Sequence, residues 1–171
     1  LLEMLYSPGA MKSTDSLARR AARGQIYTAF AIVALTVLAA GLRLWALDLA
    51  PQALYRDEAQ NGLDALQVLQ GARPVYFEAN NGREPLFIYL AALSIALLGR
   101  TPSALRIVSV LCGTLTVPAL YWLGSEVRDR CTGLWAAALA VSTVWLLNLS
   151  RVAFRAGLLP LLGALALASL L

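Results

Sequence analysis

Long apolar runs with almost no charge in them constrain this chain more than any motif it carries. The stretches 26–42, 86–98, 103–124, 132–149 and 156–171 contain a single charged side chain, Arg106. A helix that crosses a bilayer needs about 20 consecutive, mainly apolar residues, and several of these runs approach or reach that length. Composition agrees. The 171 residues are 59% hydrophobic and 14% charged, with a mean hydropathy of +0.66, against about 45–50% apolar and about 25% charged in an ordinary soluble domain. A soluble fold of this size would lack the polar surface to cover itself. That excludes a soluble enzyme, a disordered chain and a disulfide-stapled secreted domain. The expected fold class is an all-α polytopic membrane protein.

Several chemistries are removed by absence. There is no histidine, which rules out imidazole-activated nucleophiles, proton shuttles and histidine metal sites. Cys112 and Cys131 lie far apart with no CxxC spacing and read as small packing residues. Of the fourteen cations only Lys12 is a lysine, and an arginine-rich balance suits headgroup anchoring as well as phosphate recognition. No Gly-rich phosphate loop is present. Nor do aromatic and basic residues interleave as they would along a nucleic acid, so no nucleic-acid partner is expected.

The runs order the chain. Residues 1–25, with Lys12, Arg19, Arg20 and Arg23, read as a cytoplasmic tail, and 26–47 as a first transmembrane helix closed by Arg43. The basic flank resembles a signal peptide, but the apolar stretch is too long and no small-residue cleavage site follows. An outer loop, 48–102, carries six of the ten acids. Within it, 57–70 reads as an amphipathic surface helix: Ala59, Leu63, Leu66 and Leu69 recur at helical spacing, acids open it, and Gly71 and Pro74 close it. A second short helix is expected at 86–98. Then come a transmembrane helix at 103–124, a cytoplasmic turn at 125–131, a third transmembrane helix at 132–149, an outer loop at 150–156 and a fourth, truncated helix at 157–171. The opening on Leu1 and the close inside an apolar run suggest a piece of a longer chain, with Met11 as its start. The four tryptophans fit interfacial belts or packing, and Arg43 and Arg106 fit anchors that snorkel to the headgroups.

Segment 86–98 leaves two topologies open. At about 1.5 Å per residue it reaches about 20 Å, short of a hydrocarbon core of about 30 Å, which favours a surface position. Counting cations favours a crossing: eight would then lie inside and five outside, against six and seven for the surface arrangement. The two arguments nearly balance.

The stretch Tyr55-Arg56-Asp57-Glu58-Ala59, just after a first span, resembles the Asp-Glu signature of the GT-C membrane glycosyltransferases, which include the protein O-mannosyltransferases and the aminoarabinose transferases of lipid A. Gly71-Ala72-Arg73-Pro74 is similar to the family's Gly-x-x-Pro turn. Arg83-Glu84-Pro85-Leu86 resembles its basic-Pro-Pro-Leu segment, with Glu84 standing where the first proline is usual. The segment from Gly99 to Arg106 resembles the family's entry to the next span. Ser150-Arg151 matches a Ser-Arg pair, although no acid follows it in Val152-Ala153-Phe154-Arg155.

The resemblance implies a GT-C-like N-terminal module in the plasma (inner) membrane, with juxtamembrane helices at 57–70 and 86–98 in the first outer loop. This resolves the topology in favour of the surface arrangement. It also implies a polyprenyl-phosphate sugar as donor, with the acceptor open between protein, lipid and glycan. One acid beside arginines suffices for an inverting displacement, and Asp57 is the expected base. Glu58 would orient Asp57 or join it in holding a divalent metal; no other cofactor is implied. Arg83, with Arg151 and Arg155, would bind the lipid phosphate. Two plainer readings stand beside this one. Asp57 and Glu58 also suit a helix N-terminus, worth about 0.3–1 kcal/mol through the helix dipole. The whole chain also suits a membrane transporter or lipid-binding protein without catalysis.

Overall fold

A computed structural model describes residues 8–49, 52–79 and 82–171, with side chains described from residue 22 onward. Lys12, Arg19 and Arg20, expected at an inner membrane face, therefore lie outside the described side chains. The described chain is all-helical. In order come α1 (Pro8–Leu44), α2 (Arg56–Leu69), α3 (Pro85–Leu98), α4 (Pro102–Val127), α5 (Arg130–Ser142), α6 (Val144–Leu149), a 3₁₀ turn (Arg155–Leu158) and α7 (Leu159–Leu170). The one extended pairing among the described residues is a bridge between Phe77 and Arg83.

Two helical stretches are long and apolar enough to cross a membrane, Ala22–Leu44 and Pro102–Val127. They differ in company. Over half of the apolar stretch in α4 is buried within the molecule, and almost none of that in α1. Ile26, Phe30, Val33 and Val37 of α1 all point outward.

Local chemistry accounts for the boundaries. Pro85 and Pro102 open α3 and α4, where a missing N–H costs nothing. The Thr101 hydroxyl accepts the Ala104 N–H at 3.1 Å, and Asp129 Oδ1 accepts the Thr132 N–H at 2.7 Å to start α5. Gly99, at φ +88°, makes the elbow between α3 and α4. Three boundaries differ from the sequence expectation. Helix α1 already runs from Pro8, through residues expected to form a polar tail. Only Arg128 and Asp129 separate α4 from α5. The helix expected at 132–149 breaks at Thr143, whose backbone is extended. The hydroxyls of Ser142 and Thr143 bond back to Ala138 and Leu139 carbonyls at 3.1 and 2.6 Å, competition that bends or ends helices.

Helices α4 and α5 form a tight hairpin. A Cβ built on Gly133 would lie 2.5 Å from the Tyr121 carbonyl oxygen, and one on Gly124 would lie 2.9 Å from Gly133 Cα. Backbone cannot yield as a flexible side chain can. Gly133→Ala should therefore cost about 1–3 kcal/mol, the usual penalty of overpacking, read as an earlier unfolding midpoint in detergent. Gly163→Ala, facing open space, should not shift it. A core of small residues, Ala39, Val117, Ala137, Ala140 and Val141, joins α1, α4 and α5. A second core, built on Ala65, Phe87, Ile88, Ala91, Leu105 and Val108, joins α2 and α3 to the start of α4 and takes in Ala153 and Leu158.

Candidate functional site

Helix α2 is amphipathic with its polar side turned inward. Glu58, Asn61, Asp64 and Ala65 form the buried stripe, while Leu63 and Leu69 are exposed. The spacing of three and four residues puts all four on one helical face. Each polar member finds a partner, as burial demands.

Glu58 is fully buried and accepts four hydrogen bonds. Arg106 reaches its carboxylate through Nε at 3.0 Å and Nη2 at 3.3 Å. The backbone N–H of Tyr55 donates at 3.0 Å, closing the first turn of α2, and that of Ala153 donates at 2.7 Å. Arg106 also donates to the carbonyls of Ala53 at 3.0 Å and Leu47 at 3.4 Å. One turn further along, Asn61 donates to the Ala153 carbonyl at 2.9 Å. Both backbone groups of Ala153 are thus gripped by neighbouring turns of α2. Asn61 and Asp64 in turn hold Arg83, which is 3% exposed. Its Nη1 donates to Asn61 Oδ1 at 2.5 Å, its Nη2 pairs with Asp64, and its Nε donates to the Ala79 carbonyl at 3.0 Å.

Three more arginines tie this end of the molecule together. Arg43, 1% exposed, donates from Nε to the Ser150 hydroxyl at 2.9 Å and from its other nitrogens to the Ala39 and Ala140 carbonyls. Arg151 donates to the carbonyls of Leu42 at 3.0 Å and Trp45 at 2.7 Å, closing the C-terminal end of α1. Arg155 bridges the Gly82 carbonyl and Glu84 Oε2 at 2.9 and 2.8 Å. Burial of Arg43 and Arg106 overturns the expectation that they are snorkelling anchors: each finds carbonyl, hydroxyl or carboxylate partners inside the protein.

The end of α1, the starts of α2 and α4, and the segment after α6 therefore meet at one end of the molecule. Asp57 and the 150–155 segment are brought together there. Asp57 is half-buried and lines an open, largely apolar cavity of about 280 Å³ with Tyr55, Trp145, Asn148, Leu149, Val152 and Phe154. Among the five site residues expected from sequence, it alone lines this cavity. Glu58 faces the other way, into the Arg106 pair. Arg83 and Arg151 are turned to protein partners. Arg155 lies beside the cavity-lining Phe154, its side chain 35% exposed. Asp57 and Glu58 do not fit a shared metal site, because both Glu58 oxygens already face N–H donors. No cluster of three or more potential ligands occurs among the described residues.

Glu84 carries the one titration argument the site supports. Its carboxyl is held below its ordinary value of 4.5 by its own backbone N–H and then by the hydrogen bond and charge of Arg155. A carboxyl lowered by folding stabilises the fold at higher pH, and that contribution fades as pH falls through the lowered value. Hydrogen exchange at Gly82 to Glu84, corrected for intrinsic rates, should be steady at neutral pH and accelerate only below the ordinary carboxyl range. Glu84→Gln should abolish that acid-side change.

Sequence reasoning did not single out Asn61, Asp64, Arg106, Arg43 or Ser150 as partners. A signal existed for the first three. Glu58, Asn61 and Asp64 share one face of α2, and Arg106 is the lone charge in an apolar run, where an ionisable residue demands a partner. No family model, curated protein or solved structure matches this chain.

Proposed function

We propose that the chain is part of a multi-pass glycosyltransferase of the GT-C kind in the plasma membrane, with its N-terminus cytoplasmic. It would move a sugar from a polyprenyl-phosphate carrier to an acceptor hydroxyl at the outer face. The observation that carries this reading is that Asp57 opens onto an apolar cavity bounded by the segment after α6, while its neighbour Glu58 clamps that same segment. A membrane setting is supported by the two long apolar helices and by the outward apolar side chains of α1.

The chemistry needs little. Sugar nucleotides are confined to the cytoplasm, so an outer-face enzyme takes its sugar from a lipid. The carrier phosphate leaves readily once its charge is met by a cation. In a single inverting displacement the acceptor oxygen bonds to the anomeric carbon, the bond from that carbon to the phosphate oxygen breaks, and Asp57 takes the hydroxyl proton. Glu58 is a positioning residue in this scheme, fixing α2 to Ala153. Of the three arginines expected at the phosphate, Arg155 is the best candidate, exchanging Glu84 for the ligand, while Arg83 and Arg151 hold the scaffold.

The test is transfer by membranes containing the whole protein of which this chain is a part, since the chain alone is expected to be inactive; they are supplied with polyprenyl-phosphate sugars and scored for sugar leaving the lipid. A protein that inserts and folds yet transfers none of the common hexoses or pentoses overturns the reading. Sidedness gives an independent check, with Cys112 and Cys131 replaced by serine. An impermeant maleimide should label Arg56→Cys and Asn148→Cys from one face and Arg128→Cys from the other. Labelling of the first two from opposite faces would remove the shared site.

A further inference from the structure

On the flank of α2 away from the Asp57 cavity, the geometry points to a binding site for one anionic glycerophospholipid, with Arg100 as its headgroup contact. This inference rests on the membrane setting proposed above but not on the glycosyl transfer. A groove of about 310 Å³ runs between α2 and the elbow that joins α3 to α4. Its apolar wall includes Leu63, Leu66, Ile95 and Leu105, and Arg100 and Thr101 stand along it. Gly62 also lines it, where α2 packs so closely on α4 that a methyl would come within 3.3 Å of the Leu105 side chain.

The occupant follows from charge complementarity. No acidic residue lines the groove. Arg100 is exposed at the elbow and makes no hydrogen bond or ion pair among the described residues, unlike Arg43, Arg83, Arg106, Arg151 and Arg155, which are all engaged with protein groups. Helix α4 begins two residues later, adding the positive end of its dipole on the same side. Within a bilayer, apolar contact alone does not distinguish one acyl chain from another. Selectivity must therefore come from the headgroup, and a guanidinium suits a phosphodiester with net negative charge.

The experiment uses the full chain, purified in a neutral detergent and titrated with phosphatidylglycerol or phosphatidylcholine, with retained lipid counted by native mass spectrometry. The wild-type chain should keep one phosphatidylglycerol with roughly fivefold preference, the discrimination expected of about 1 kcal/mol for one surface cation. Arg100→Gln should erase the preference and Arg100→Lys should keep most of it. Arg73→Gln, an equal loss of charge on an exposed residue outside the groove, should leave it intact. Equal retention of the two lipids by the wild type, or an equal loss in the Arg73 and Arg100 variants, overturns the site. Since the readout is lipid retention, a failure here is distinguishable from a failure of the transfer assay.

Discussion

Arg106→Ala should be the most damaging single substitution in the described chain. It would leave the fully buried Glu58 carboxylate facing two backbone N–H groups but no cation, and would orphan the carbonyls of Ala53 and Leu47. Breaking a buried pair by removing one partner costs about 3–5 kcal/mol. The measure is the loss of helical circular dichroism as denaturing detergent is titrated into micelles, with the midpoint falling sharply. Arg106→Lys should recover only part, because an ammonium lacks the fork that reaches a carboxylate and two carbonyls together. Glu58→Gln combined with Arg106→Met should fall between the wild type and Arg106→Ala, since neither charge is then stranded while an acceptor remains for Ala153. The exposed pair of Arg128 and Asp129, 3.8 Å apart, provides the contrast: Arg128→Ala should shift the midpoint little, as surface pairs contribute about 0–1 kcal/mol. An equal response at Arg106 and Arg128 would mean that the Glu58 pair does not organise this end of the fold.

The second large effect is on activity. Asp57→Asn should lower transfer by about 10²–10⁴-fold, the usual contribution of a positioned base, with the chain still inserted and its denaturation midpoint near that of the wild type. The amide keeps the shape of the carboxylate and loses its ability to accept the hydroxyl proton. The fall should appear in kcat with KM for the lipid donor nearly unchanged, since the proposed scheme has Asp57 act on the acceptor. Glu58→Gln should behave differently, lowering stability and transfer together. Full transfer by Asp57→Asn would dismiss the base, and a parallel loss of stability and activity would reduce Asp57 to a first-turn acid of α2.

Helical character was legible from the sequence wherever proline, glycine or a capping residue punctuated an apolar pattern. The helices read at 57–70 and 86–98 appear as Arg56–Leu69 and Pro85–Leu98. Legibility failed where no local residue marks the change. Near 25 only Gly24 marks the change from polar tail to apolar span, a single glycine that a helix tolerates, and α1 runs through it. Ser142 and Thr143 end α5 by side-chain bonds that hydropathy does not register. The site was legible as an address more than as an arrangement. Asp57 and the 150–155 segment do meet, but the direction of each side chain depends on long-range partners. Whether Arg83 faces a ligand or Asp64 depends on the inward turn of α2, and in sequence its leucines draw the eye to the opposite face.

The way α1 is fastened has a mechanical consequence. Its buried contacts gather towards its C-terminal end, at Ala39 and Arg43, where Arg43 and Arg151 tie it by hydrogen bonds. Its apolar stretch, Ala22–Leu44, has 23 residues and is about 35 Å long, a little beyond a hydrocarbon core of about 30 Å. In its described side chains, α1 resembles a mast stepped at its foot. In the membrane setting proposed above, such a mast should lean to absorb differences in bilayer thickness, while the polar end that carries Asp57 keeps its shape.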